Sequence, residues 1–134
     1  MKLSMAAELG IRGILTLAEE HGGGPVPLEE ICRRRDLPKE YVAKIFTSLT
    51  RAGLVDAVRG KGGGHFLARP PEEITLLEVI EAIEGPLATN LCQHTPSRCK
   101  EVDCPVRPVW SEIQEQVRTL LGSKHLSDFL PEAP

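Results

Sequence analysis

The chain has 134 residues, of which 41% are hydrophobic, 4% aromatic and 26% charged, and its formal net charge is −3. This length supports one compact domain plus an appended helix, built around an aliphatic core. No apolar stretch approaches the roughly 20 residues that cross a bilayer, and the amino terminus lacks the apolar centre of a signal peptide, so we expect a cytoplasmic protein with no membrane partner.

Three helices are predicted in the first part of the chain. From Leu3 to Glu20 apolar residues recur at helical spacing, and the run of His, Gly and Pro at 21–25 ends that helix. The predicted buried stripe consists of Leu3, Ala6, Ala7, Gly10, Ile11, Ile14, Leu15 and Ala18. A second helix spans Leu28 to Arg35, with Cys32 as a small core residue. Pro38 suits the first turn of a third helix that extends to about Ala52. Because a tight turn separates the last two helices, the pattern predicts a helix-turn-helix.

The third helix is predicted to present a polar face to DNA. The second helix of a helix-turn-helix enters the major groove, where its side chains reach phosphates and base edges. Residues 33–69 include nine basic and three acidic side chains, a local charge of +6, while the rest of the chain carries −9. Such a charge run also occurs on faces that are merely solvated, but its place on this motif favours DNA. The residues predicted to meet DNA are Lys39, Glu40, Tyr41, Lys44, Thr47, Ser48 and Arg51.

A β-hairpin is predicted after the third helix. Residues 54–58 and 65–68 read as two short strands joined by a loop rich in glycine. Glycines let a loop approach the sugar-phosphate backbone, and basic residues there neutralise phosphates or enter a narrow minor groove. A nucleotide-binding loop is disfavoured, because this loop joins two strands and no Gly-Lys-Ser/Thr follows. The hairpin is interpreted as a wing that contacts DNA through Arg59, Lys61, Gly62 and Gly63.

Two more helices complete the predicted fold. The fourth starts near Thr75 and ends at Gly85. The fifth, from Pro108 to Gly122, has an apolar stripe that is either core or, as we interpret it, a dimer seam. A short helix at 126–130 would cap the dimer, and we expect fraying from Pro131 onward. The predicted class is mainly α with a small β-hairpin wing: a winged helix-turn-helix at 1–84, a cysteine-rich loop at 85–107, and a dimerisation helix with its cap at 108–130. The stripe consists of Trp110, Ile113, Val117, Leu120 and Leu121.

Three of the four cysteines lie close together, at Cys92, Cys99 and Cys104. A reducing compartment keeps thiols free, so the cluster favours metal binding or redox sensing over disulfides. Soft thiolates suit iron-sulfur clusters, and a flexible loop can wrap three of them around one face of a cluster. Zinc held with His94 or Asp103 is the main alternative, although no Cys-x-x-Cys pair is present, and a thiol switch without a cluster stays open.

The chain resembles the Rrf-type winged-helix transcriptional regulators, a family that includes iron-sulfur regulators of the IscR and NsrR kinds. The resemblance runs from Met1 to about Leu130. It rests on the opening Met-Lys-Leu-Ser, the segment Gly-Pro-Val-Pro-Leu at 24–28, the wing from Gly53 to Gly64, and the cysteine loop ahead of Trp110. It implies a homodimer that binds a palindromic double-stranded DNA operator and carries one iron-sulfur cluster per subunit, either 2Fe-2S or 4Fe-4S.

The resemblance also bears on a fourth cluster ligand. Where IscR-like members have a ligating histidine three residues after the last cysteine, this chain has Arg107, which cannot be a ligand. NsrR-like members look as if they use an acidic residue from the partner's first helix, and Glu8 occupies the matching position. The partner subunit's Glu8 is therefore the predicted ligand, and His94 is the second choice. Asp103 and an external small molecule stay open.

Together these features predict a dimeric DNA-binding regulator, interpreted as a repressor, that senses iron-sulfur status, nitric oxide or redox state. Nothing indicates an enzyme, since no Ser/His/Asp or paired-carboxylate constellation falls on neighbouring elements, and His21, His65, His94 and His125 are interpreted as surface residues. The alternatives are a winged-helix regulator with a structural zinc or a cluster-free thiol switch, and a small iron-sulfur redox protein. A small iron-sulfur redox protein would not need a basic wing.

Overall fold

The computed structural model describes residues 2–131, so the expected fraying beyond Pro131 falls outside the described residues. Within that range the chain forms five α-helices and one β-hairpin, and short 3-10 turns lie at Pro71–Glu73, Leu91–Gln93 and Leu126–Phe129. The predicted fold class is confirmed, and the observed element ends lie within two residues of the predicted ones. The elements are α1 (Met5–Glu19), α2 (Leu28–Arg35), α3 (Lys39–Arg51), β1 (Val55–Val58), β2 (Gly64–Leu67), α4 (Leu76–Glu84) and α5 (Arg107–Ser123).

Local side-chain signals account for several helix ends. The Ser4 hydroxyl accepts a hydrogen bond from the Ala7 N–H at 3.1 Å and so caps α1. Thr75 and Glu78 form a reciprocal capping box at the start of α4. Asp36 ends α2 in the left-handed conformation with φ 53°. Because these signals act within a few residues, the sequence was enough to place the helix ends.

The core forms where α1 packs against α3 and α4. It is aliphatic apart from the buried ring of Phe46 and the thiol of Cys32. Leu9 and Leu17 are buried although the predicted α1 stripe omitted them, whereas Ile11 and Leu15 of that stripe are only partly buried. The reason is that α1 contacts α2, α3, α4 and β2, so more than one stripe of its surface is covered.

The hairpin is anchored to the segment that precedes α2. β1 and β2 pair antiparallel, from Val55 opposite Leu67 to Val58 opposite Gly64. His65 and Val26 exchange two backbone hydrogen bonds, each 2.8 Å long. The wing is therefore fixed at its base both to the helix-turn-helix and to the chain before it.

The last helix, α5, packs on α4 and on the Leu91–Gln93 turn, yet it has no buried residue. Of the predicted stripe, Trp110, Val117 and Leu121 are half-buried, while Ile113 and Leu120 are exposed. Val109 extends the exposed edge. One edge of the apolar face thus packs on the rest of the chain and the other faces outward. No helix in the described part is long and apolar enough to cross a membrane.

Candidate DNA interface and cysteine loop

The predicted reading face of α3 is exposed in the structure. The opposite face buries Val42, Ile45, Phe46 and Leu49, which holds the helix against the core. Among the predicted DNA-contacting residues on α3, Ser48 is half-buried. The others are all exposed: Lys39, Glu40, Tyr41, Lys44, Thr47 and Arg51.

The basic residues near α2 are engaged in ion pairs. Glu30 contacts Arg33 at 2.5 Å and Arg34 at 2.9 Å, and the hydrogen bonds from these guanidinium groups lower the pKa of Glu30 to about 2. Arg34 also reaches Glu20 on the segment that follows α1, and Arg35 pairs with Glu19. These arginines therefore connect α2 to the end of α1, and the positive charge of the 33–35 run is largely compensated by carboxylates.

Lys39, predicted as a DNA contact, also has a carboxylate partner. Its Nζ lies 2.6 Å from an Oε1 of Glu29 on α2. The hydrogen bond between them raises the pKa of Lys39 and lowers that of Glu29. Both side chains are well exposed, so the pair is open to competition from salt or from a DNA phosphate.

Four basic residues of the 33–69 segment form no ion pair among the described residues. Lys44 and Arg51 lie on α3, and Arg59 and Lys61 lie in the hairpin loop. All four are exposed. The uncompensated positive charge of the 33–69 segment is therefore concentrated on the recognition helix and the wing.

Glycines shape the tip of the wing. Gly60 and Gly62 have φ values of 95° and 79°, which other residues rarely adopt. A Cβ on Gly63 would lie 2.1 Å from the Val58 carbonyl oxygen, so a side chain cannot fit there without moving the backbone. Gly62 is exposed and Gly63 half-buried, so the loop offers a thin backbone edge beside the two basic side chains.

A groove of about 340 Å³ separates α3 from β2. His65 forms one wall, with its ring edge-on to Phe46 at a centroid distance of 5.0 Å. The interpretation of His65 as a surface residue needs correction, because the side chain is half-buried and that burial lowers its pKa. Strand alternation was the overlooked signal, since His65 lies two residues before buried Leu67 and shares its face. The groove is lined by Ala43, Phe46, Thr47, Thr50, Arg51 and His65.

The three clustered cysteines lie on the segment between α4 and α5. Cys92, Cys99 and Cys104 are all free thiols and all partly exposed, whereas Cys32 is buried in the core and burial raises its pKa. Their soft sulfur donors fit an iron-sulfur cluster. The described residues nevertheless contain no group of three or more His, Cys, Asp or Glu side chains close enough to hold a metal ion.

The candidate fourth ligands occupy separate places. Glu8, exposed in the first turn of α1, lines a surface depression with Glu84, and that depression includes none of the cysteines. Half-buried His94 lines a cavity of about 580 Å³ beside the loop, which also includes Glu84. Asp103 is exposed.

Arg107 ties the end of the cysteine loop to α5. Its Nη2 donates to the Glu101 carbonyl at 2.6 Å and its Nη1 to the Val102 carbonyl at 3.5 Å. The Arg107 backbone N–H donates to the Cys104 carbonyl at 3.2 Å. Its Nε is buried without a partner among the described residues. At the position where the resemblance places a histidine ligand, this chain thus has an arginine that hydrogen-bonds to the backbone of the cysteine loop.

A helix-turn-helix followed by a basic, glycine-tipped hairpin defines the chain as a winged helix-turn-helix DNA-binding protein. The Rrf2 family, described as iron-dependent transcriptional regulators, matches residues 3–132. The chain belongs to the Rrf2 family and is a helix-turn-helix transcriptional regulator. Family membership confirms the resemblance and the expectation that the protein is not an enzyme.

Two kinds of relative are similar to this chain. The regulator CymR of Bacillus subtilis is 33% identical over 129 residues, which cover 96% of this chain and 88% of CymR. The regulator IscR of Xenorhabdus nematophila is 31% identical over 97% of this chain and 79% of its own. The solved structure of CymR, named as the global cysteine regulator of B. subtilis, matches with a TM-score of 0.83 at 32% identity, over 96% of this chain and 95% of that one.

Proposed function

We propose that this protein is a homodimeric regulator, acting as a repressor, whose affinity for a palindromic operator depends on an iron-sulfur cluster. The observation that carries the proposal is the set of three free, partly exposed thiols at Cys92, Cys99 and Cys104, beside a fourth cysteine that is buried in the core. The likeness to IscR and the family's description as iron-dependent support the same reading.

The exposed edge of α5 supports the dimer. Val106, Val109, Ile113 and Leu120 lie on one stripe and are between 38% and 58% exposed. Contiguous apolar surface of this kind marks a protein contact. A two-fold dimer through α5 presents two copies of α3 to two half-sites, which is the reason for expecting a palindrome.

The loop residues supply ligands of suitable chemistry. The three thiolates would hold the cluster, with the partner subunit's Glu8 as the fourth ligand, and the bound cluster would supply a centre sensitive to redox state and nitric oxide. The thiols are not gathered in the described loop, so holding the cluster requires residues 92–104 to rearrange. The loop connects α4 to α5, and α4 packs on α1 and α3. A coupling of about 1 to 3 kcal/mol along this path would change operator affinity by roughly 5- to 150-fold.

A thiol switch without a cluster is the second candidate. It is favoured by the likeness to CymR, since that relative is named as a cysteine regulator and matches this chain as well as IscR does. In that case oxidation or modification of the loop thiols replaces cluster loss as the signal.

Anaerobic purification with iron, sulfide and zinc analysis beside a visible spectrum tests the two candidates and the zinc alternative together. We expect iron with matching sulfide and charge-transfer absorption. Serine at Cys92, Cys99 or Cys104 should abolish both, while the matched control Cys32→Ala should keep them, since Cys32 is a core residue. Zinc, or intact thiols without metal, would reject the cluster and leave a DNA-binding regulator with another sensor.

The fourth ligand is tested separately. Glu8→Ala should change the cluster spectrum and shorten its lifetime in air, whereas Glu112→Ala, an exposed carboxylate on α5, should change neither. An unchanged spectrum and lifetime in Glu8→Ala would rule Glu8 out. The same measurements on His94→Ala would then decide whether the second choice is correct.

DNA binding is tested by affinity selection from a library of random duplexes. The expected product is a sequence with two inverted half-sites about one helical turn apart. Enrichment of a sequence without two-fold symmetry would reject the palindromic operator, and no enrichment would reject specific DNA binding.

A further inference from the structure

We propose that the groove between α3 and β2 seats one backbone phosphate of bound DNA, held by the Arg51 guanidinium and the Nε2–H of His65. The inference rests on the proposed DNA-binding function and adds a contact that lies between the recognition helix and the wing. His65 is neither on the polar face of α3 nor in the hairpin loop, where the other predicted contacts lie.

The groove offers two donors to an anion. Arg51 is exposed and has no carboxylate partner within residues 2–131. The threonine hydroxyls on the same wall already donate to helix carbonyls, Thr47 to Ala43 at 3.0 Å and Thr50 to Phe46 at 2.8 Å. Their oxygens can therefore only accept, so the donors available to a ligand are Arg51 and His65.

The imidazole of His65 is held in a defined orientation. Its backbone is pinned to Val26, and its ring rests edge-on against Phe46. Nδ1 is fully covered and has no partner among the described residues, so Nε2 is the ring nitrogen left for a ligand. The tautomer with hydrogen on Nε2 buries only a lone pair at Nδ1, which costs less than burying an unpaired N–H, and it directs a donor outward.

A phosphate matches this donor set and its place. Contacts to phosphate come from arginine, lysine and other hydrogen-bond donors, and they fix the register of a protein on the duplex. DNA that meets both α3 and the hairpin loop must pass over the groove between them, which brings its backbone to the two donors. Among residues 2–131, those that line this groove include no acidic side chain.

A bound phosphate should raise the pKa of His65. Arg51 faces the imidazole across the groove, while Glu20 and His21 line the cavity on its other side. Burial lowers the pKa of His65, so the free protein has a neutral imidazole near neutral pH. A phosphate beside Nε2 compensates Arg51 and raises the pKa of His65 relative to its value in the free protein.

Replacing one phosphate at a time by a neutral methylphosphonate tests this phosphate contact. The probe is the duplex enriched from the random library. For the wild-type protein, a methylphosphonate at one position in each half-site should weaken binding roughly tenfold, because the charge-assisted hydrogen bonds to that phosphate are lost. His65→Phe keeps a ring against Phe46 and removes the donor. Methylphosphonate substitution at that linkage should reduce the affinity of His65→Phe and of Arg51→Ala much less than it reduces the affinity of the wild type. In Arg59→Ala the same substitution should reduce affinity as much as it does in the wild type.

A second measurement follows the His65 imidazole directly by NMR. Its pKa should rise on addition of the duplex, and should rise less when the critical linkage is a methylphosphonate. The proposed phosphate contact is wrong if the wild-type protein binds the duplex, His65→Phe changes the effect of no methylphosphonate, and the pKa of His65 stays the same on binding. The proposed DNA-binding function would then still stand. If the wild-type protein binds no duplex, the proposed function fails first.

Discussion

Gly13 is a residue whose missing side chain decides how closely two helices pack. A Cβ at Gly13 of α1 would lie 2.8 Å from Cε1 of Phe46, the buried aromatic ring of α3. Gly10, one turn earlier, has an even closer neighbour, since a Cβ there would lie 2.3 Å from Cδ1 of Ile83 on α4. The two glycines allow α1 to approach both helices, and Phe46 in turn supports His65.

Gly13→Ala should therefore destabilise the protein. Alanine gains about 1 kcal/mol over glycine within a helix, but overpacking against a fixed ring costs about 1 to 3 kcal/mol, so we expect a net loss of up to about 2 kcal/mol. Urea unfolding measures it. Gly122→Ala is the matched control: its Cβ would make an ordinary 3.6 Å contact with Leu77, so stability should stay the same or rise. A higher free energy of unfolding in both variants would show that Phe46 moves aside to make room for the added methyl group.

Glu30 predicts a dependence of stability on pH. Its folded pKa, about 2, lies below the ordinary value of 4.5 because Arg33 and Arg34 donate to it. The folded protein thus favours the charged carboxylate, and the stabilisation is complete above the unfolded pKa and lost as pH falls from about 4.5 towards 2. The effect is small and screened by salt, because Glu30 is only half-buried and its partner Arg33 is exposed. Melting temperature should fall less with acid in Glu30→Gln than in the wild type, and an identical acid dependence would contradict this.

At the scale of an element, the wing and α3 form one charged surface, while α2 is neutralised by its partners. Arg59 and Lys61 have no ion pair among the described side chains, in contrast to Arg33 on α2. Free charges on the hairpin loop can meet phosphates without first breaking an existing contact. The wing should therefore contribute more to DNA affinity than the longer basic run on α2.

Arg59→Ala should weaken operator binding and reduce the slope of log affinity against log salt by about one. Arg33→Ala removes the same charge from α2 and is the control, with a slope close to that of the wild type. Fluorescence anisotropy across a salt titration measures both. Equal slopes for the wild type and Arg59→Ala would show that the wing does not contact DNA phosphates through Arg59.

The end of the cysteine loop depends on a single side chain. Arg107 holds the carbonyls of Glu101 and Val102, so its removal should loosen the backbone next to Cys104. In metal-free protein, Arg107→Ala should speed amide hydrogen exchange at 99–104 by about thirtyfold, if each of the two hydrogen bonds contributes about 1 kcal/mol. Arg118→Ala, which breaks an ion pair with Glu81 on α4, is the control and should leave this segment unchanged. Equal protection in both variants would show that the loop is held by other contacts.

At the scale of the whole molecule, the outward edge of α5 has no partner within the described chain. Val109 is 51% and Leu120 58% exposed, although the same helix packs on α4 through its other edge. In a chain with so small a core, an apolar stripe of this length is best buried by a second copy.

Ile113→Glu places a charge in the middle of this stripe and should shift the protein from dimer to monomer with its helical content retained. Thr119→Glu adds the same charge to an exposed position on another side of α5 and should remain dimeric. Analytical ultracentrifugation across a concentration series measures both. A dimeric Ile113→Glu would place the interface elsewhere.

Much of this architecture followed from local sequence signals. Ser4 and Thr75 cap helices through bonds to residues three positions away, and Gly60 and Gly62 bend the wing. Such effects act within one turn of chain, so the pattern was sufficient to place the five helices and the hairpin. Burial on α1 was predicted less well, because several elements cover that helix at once.

The sequence by itself determined the winged helix-turn-helix, the family and the presence of three clustered thiols, because these depend on residue type and short-range spacing. Tertiary structure alone decided which basic residues are free, since Lys39 pairs with Glu29 and Arg34 with Glu20, ten and fourteen residues apart. It also decided that His65 rests on Phe46 rather than in solvent. The physical reason is that charge compensation and burial depend on which elements meet in space.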